Sequence, residues 1–144
     1  MSMLDRFRKL LRPNETGRDA ASAETELIYV LLPEAIDPDT RFERYEAPLD
    51  AELQLTGIGF VSGGGALMSA PKPDGSCDIL YCGVDVDTTN VDCARTLLRE
   101  HLPNLGCKPG TKLEFTIGDR DLEDRFDGQH WQLAQPRTQY EDGE

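Results

Sequence analysis

The stretch CDILYCGVDVDTTNVDCARTLLREHLPNLG, Cys77 to Gly106, changes its hydrophobic period once, and that change decides the fold. As far as Thr88, side chains alternate as in a strand with one covered face. Leu80, Cys82, Val84 and Val86 form the inward set; Ile79, Tyr81, Gly83, Asp85 and Asp87 form the outward one. Beyond Thr89 the period becomes helical. Thr89 or Asn90 caps the start, Asp92 sits in the first turn, and Ala94, Leu97, Leu98 and Leu102 share a face. Pro103 to Gly106 ends the helix.

Upstream, ELIYVLLP (Glu26–Pro33) is a continuous apolar, β-prone run, the pattern of a central strand. PLDAELQLTG (Pro48–Gly57) has proline in its first turn, Leu49 and Leu53 on one face and a closing glycine, so it reads as a helix. Pro48 predicts a break that separates it from an earlier turn holding Phe42 and Tyr45. Downstream, GTKLEFTIGD (Gly110–Asp119) alternates, with Leu113, Phe115 and Ile117 inward and Lys112, Glu114 and Thr116 outward. The order strand, helix, strand, strand, helix, strand predicts an α+β fold of the ferredoxin-like, split β-α-β kind. Its sheet would be antiparallel and four-stranded, with two helices on one face and the strands starting at Glu26 and Ile79 in the centre. Three regions follow: a basic amphipathic segment and linker at 1–23, the α+β domain at 24–118, and an acidic tail at 119–144 that either stays disordered or packs Trp131 on the domain.

The second strand comes from TGIGFVSGGGALMS, Thr56 to Ser69, in which five of fourteen residues are glycine. A dinucleotide-binding fingerprint needs a third glycine where Ser62 stands, and must lead from a strand into a helix; this stretch leads from a helix into a strand. A Gly-Lys-Ser/Thr phosphate loop lacks its lysine, since none lies between Arg44 and Lys72. The glycines therefore read as backbone geometry. Residues 58–69 pair with residues 77–87 through the turn PKPDGS, and Gly63 to Gly65 make either a bulge in a long edge strand or a tight turn at Gly64. Either device predicts a positive φ at one of the three.

At 144 residues the chain is long enough for one domain with its own core. The longest apolar run, Leu27 to Leu32, is far short of the ~20 residues that span a bilayer, and no secretory signal follows the start, so a cytoplasmic protein without an integral membrane segment is expected. Cys77, Cys82, Cys93 and Cys107 form no C-x-x-C pair and, with only His101 and His130 to help, make no zinc motif; reduced, buried thiols are expected, with neither metal nor cofactor. The net charge of −12 is uneven: residues 1–23 hold five basic and three acidic side chains, residues 24–118 seven and sixteen, residues 119–144 three and eight. Such a surface repels nucleic acid and attracts a basic protein. SMLDRFRKLLR runs against the trend, with Leu4, Phe7, Leu10 and Leu11 on one stripe and Arg6, Arg8, Lys9 and Arg12 around it. A helix of that kind can touch a membrane surface or a partner, and being marginal alone it frays or docks on its own domain.

Two resemblances bear on function. Asp85-Val-Asp87-Thr-Thr89 resembles the first motif of the haloacid-dehalogenase-like phosphatases. That resemblance implies Asp85 as nucleophile, Asp87 as general acid and base, and magnesium as cofactor, with Asp119 and Glu123 as further acids. It covers only these residues, and that family requires a parallel α/β sheet. The same stretch fails as a calcium loop, with Thr96 in place of the closing glutamate, and His101 in the last turn of its helix is explained by the helix dipole. Over residues 24–118, the run GIGFVSGGGALM, CDILYCGVDVD, ARTLLREHL, LGCKPGTKLEF resembles small bacterial ferredoxin-like domains, some of them immunity proteins that bind toxins. The resemblance brings no catalytic residues, and with the acidic surface the expected function is a non-enzymatic binding module that meets a basic protein partner. The candidate binding residues are Tyr81, Asp85, Asp87 and Glu114, on the outward side of the sheet; the phosphatase reading uses Asp85 and Asp87 as catalytic residues.

Overall fold

In a computed structural model that describes residues 24–137, β1 (Glu26–Leu32) lies between β3 (Ile79–Thr88) and β4 (Lys112–Ile117), antiparallel to both. β2 (Gly59–Met68) pairs outside β3. On the other side β4 is followed by β5 (Arg120–Phe126) and β6 (Trp131–Pro136), giving one antiparallel sheet in the order β2-β3-β1-β4-β5-β6. The helical elements are α1 (Pro38–Arg41), a π turn (Phe42–Glu46), α2 (Ala47–Thr56) and α3 (Val91–Asn104). The basic amphipathic segment read at 1–23, and residues 138–144, lie outside the described residues.

The α+β class is as expected; the four-stranded ferredoxin-like sheet is not. The sheet has six strands, because residues 120–136, within the stretch expected as a tail, form a further hairpin. The physical reason lies at Asp124. β5 points Leu122, Asp124 and Phe126 at the core side, and the charge is neutralised where it is buried. Arg95 of α3 meets Asp124 through two hydrogen bonds, Nε at 2.9 Å and Nη2 at 2.8 Å, and Arg99 adds a third at 3.0 Å. The Ala134 amide of β6 donates to the same carboxylate at 2.8 Å. Trp131 closes the hairpin onto the helix: its Nε1 donates to the Arg99 carbonyl at 3.2 Å, and its ring stands 5.0 Å from that of Phe126.

Ile28, Val30 and Leu32 of β1, Cys82, Val84 and Val86 of β3, and Leu113 and Phe115 of β4 are buried together with Leu49, Leu53, Leu98 and Leu102 of the helices. That packing puts α2 and α3 on one side of the sheet. Two residues expected inward are not. Leu80 is 48 % exposed, because the β2–β3 register skips it between Leu67↔Tyr81 and Met68↔Ile79. Ile117 is 46 % exposed at the end of β4, beside the Gly118 turn. Pro48 does not break the helical path either. The π turn widens the backbone just before it, with the Ala47 amide donating to the Phe42 carbonyl, and α2 continues directly.

β2 runs without a turn through Gly63–Gly65, and none of these three has a positive φ. The bulge sits one residue earlier, at Ser62, between Val61↔Val86 and Gly63↔Asp85. As the edge of the sheet, β2 is blunted by side chains. Asp50 accepts the Val61 amide at 2.8 Å, and Arg41, paired with Glu46, donates to the Gly65 carbonyl at 2.9 Å.

Candidate functional site

The helices cover one side of the sheet, and the register sets the composition of the other. Residues directly opposite on paired strands share a face. Gly63, Asp85, Tyr29, Glu114 and Glu123 therefore form one row across β2, β3, β1, β4 and β5. The adjacent row is Gly65, Gly83, Leu31, Lys112 and Arg125, and on the opposite flank Asp87 lies beside Leu27. All four residues singled out in the sequence, Tyr81, Asp85, Asp87 and Glu114, thus lie on this face. Sequence reasoning missed Tyr29 and Arg125, and took Glu123 only for a metal-binding acid. ELIYVLL is apolar throughout after its first residue, so no pattern marked Leu27, Tyr29 and Leu31 as the set on this side; Glu123 and Arg125 needed β5.

The face is acidic along its length and apolar down its middle. Glu123 pairs with Arg125, Thr25 donates to Asp87 at 3.1 Å, and Lys112 Nζ lies 5.8 Å from the centre of the Tyr81 ring. Burial holds the Glu114 carboxyl above the usual glutamate range; Glu123 and Asp121 push the same way, while Arg137 and Lys112 oppose them. The sign follows from proton binding. A raised native value means that the folded chain holds this proton more tightly than the unfolded one. The contribution to stability is complete below the ordinary value of 4.5 and is lost as pH rises through the native value. Glu114→Gln should therefore melt above the wild type at neutral pH, with the gap closing as pH falls towards 4.5. Thermal melts of both proteins across that range test this, and a gap independent of pH would refute it.

The same register tests the magnesium site implied by the phosphatase resemblance. Asp85 and Glu114 are two strand spacings apart and Asp85 and Glu123 three, roughly 10 and 14 Å at 4.8 Å per strand. These carboxylates form a strip and do not converge on one ion. Among the described residues no three His, Cys, Asp or Glu are grouped to hold a metal. The sheet is antiparallel throughout, contrary to the parallel sheet that family requires. The residues present do not fit the group.

Elsewhere, Cys82 and Cys107 are buried, as expected, but Cys77 and Cys93 are exposed, and all four are free thiols. Cys77 precedes β3, and Cys93 lies on the outer side of α3. Burial pushes the Cys107 thiol up. A groove of about 520 Å3 between α2 and α3 is lined by Glu52, Asp92, Glu100 and His101, with His101 Nε2 3.4 Å from Glu52. No helix among the described residues is long and apolar enough to cross a membrane. No family model matches the chain, and neither curated proteins nor solved structures give a match.

Proposed function

We propose that this chain is a non-enzymatic protein-binding module whose sheet face opposite α2 and α3 receives a basic, amphipathic segment of a partner. The observation that supports this most directly is the row Asp85, Tyr29, Glu114, Glu123, set side by side by the register. A helix laid across the strands repeats every ~5.4 Å, close to the ~4.8 Å between strands. Cationic side chains along such a helix would meet the carboxylates of β3, β4 and β5, and its apolar stripe would cross β1 at Tyr29, between Leu27 and Leu31. Long-range attraction by the acidic surface would speed the encounter. Neutralisation of a basic toxin, in the manner of immunity proteins, is the form of this role that the sequence resemblance implies.

The probe is a fluorescent 15-residue helical peptide of leucine and arginine, titrated into the full chain and followed by anisotropy. Binding should weaken with salt and fall at least ten-fold in the Asp85→Asn, Glu114→Gln double variant. Affinity indifferent to both changes would refute the reading. So would magnesium-dependent turnover of a phosphate ester that disappears in Asp85→Asn, which would restore the phosphatase.

A further inference from the structure

We infer that the acidic face has an occupant in this same chain: the basic amphipathic segment Leu4–Arg12 docks on it and competes with any partner. The inference deepens the binding reading, since it names the regulator of that face. Its first support is burial. Asp85 and Glu123 are 0 % exposed and Asp87 is 2 % exposed, on the side of the sheet that carries no described helix. An antiparallel sheet with a bare face leaves its charged side chains in water. Carboxylates withdrawn from water require cations or donors around them, so whatever lies over them is basic.

Charge then selects the segment. Two stretches of the sequence lie outside the described residues. Residues 138–144 carry Glu141, Asp142 and Glu144 and no base, so the face repels them. Residues 1–12 carry Arg6, Arg8, Lys9 and Arg12 against Asp5 alone. They also carry the apolar stripe, Leu4, Phe7, Leu10 and Leu11, that the central ridge of Leu27, Tyr29 and Leu31 calls for. Beside that ridge the face has no side chains at Gly63, Gly65 and Gly83, which leaves room for a helix to lie close to the sheet.

The reach is sufficient. Residues 13–23 can extend to about 35 Å, whereas six strands span about 24 Å. The tether starts next to the site, because Thr25 already contacts Asp87.

Carboxylate footprinting tests this without any partner. The intact chain and the full-length Arg6→Gln, Arg8→Gln, Lys9→Gln, Arg12→Gln variant are labelled with a carbodiimide and glycine ethyl ester, and each site is quantified by mass spectrometry. Asp85 and Glu123 should label at least ten-fold faster in the variant. Exposed Asp39 and Asp74 should label equally in both proteins, and core Asp124 should stay protected, which reports that the fold is intact. Equal rates at Asp85 and Glu123 would overturn the docking. If Asp124 becomes labelled, the intact chain is compared instead at low salt and at about 1 M salt, where the screening length is about 3 Å. Faster labelling of Asp85 and Glu123 at high salt then supports docking, and unchanged rates refute it. The peptide assay separates the two proposals. Faster labelling without peptide binding would keep the docking and remove the partner; peptide binding with unchanged labelling would do the reverse.

Discussion

Asp124→Ala is expected to lower stability by about 3–5 kcal/mol, the range for removing one partner of a buried ion pair. The carboxylate is fully buried and ties its own strand, β5, to two other elements: Arg95 and Arg99 of α3, and the Ala134 amide of β6. Without it, the Arg95 guanidinium, 4.0 Å from the centre of the Phe115 ring, remains buried beside an aromatic face, and among the described residues its remaining carboxylate partner is the exposed Asp92, at 3.4 Å. The β5–β6 hairpin also loses its tie to the helix, so Trp131 fluorescence should shift towards that of a wetter indole early in denaturation. Urea unfolding measures the cost. Lys72→Ala is the comparison, because the Lys72–Asp78 pair is solvent-exposed, 2.9 Å long, and of a kind worth at most about 1 kcal/mol. Equal losses in the two variants would show that Asp124 does not anchor the sheet.

The same residue explains where the sequence stopped being readable. β3 and α3 were legible because their periods are clean and a capping residue separates them. β4 was legible from its alternation, and β1 from an unbroken apolar, β-prone run. β5 was not, since DLEDRF places an aspartate on the core side, and no local pattern reveals that two arginines on a helix 25 and 29 residues away will neutralise it. Without β5, Glu123 had no place on the face, so the acidic row appeared one carboxylate shorter than it is. Tyr81, Asp85, Asp87 and Glu114 could be assigned to one face from alternation alone. Their order across the face could not, because register is a property of paired strands. Pro48 misled in the opposite direction: a proline signals a break, and the π turn that accommodates it has no sequence signature of its own.

The glycine stretch yields the second large effect, at a different glycine from the one its clustering suggests. At Gly59 a β-carbon would stand 2.2 Å from the Asp87 carbonyl oxygen and 3.1 Å from the Thr88 α-carbon, both backbone atoms. Neither strand can yield easily. Gly59 pairs with Thr88, and the Ile58 carbonyl accepts both the Thr88 hydroxyl at 2.6 Å and the Thr89 amide at 3.0 Å. Gly59→Ala should therefore cost about 3 kcal/mol, the upper end for forcing a methyl group into packed structure. Gly64→Ala should cost less, about 1–2 kcal/mol on the same scale. Its β-carbon would meet the Gly83 carbonyl at 2.9 Å, and otherwise the movable ends of Glu46 and Arg41. Gly57→Ala meets nothing within 4 Å but must hold a φ of +73°, so about 1 kcal/mol is expected. Thermal melts rank the three variants. The ranking Gly59, Gly64, Gly57 places the requirement for glycine in the close approach of β2 to β3. A Gly59→Ala protein that melts with the wild type would break that explanation, because a clash with two fixed backbone atoms cannot be relieved by a rotamer change.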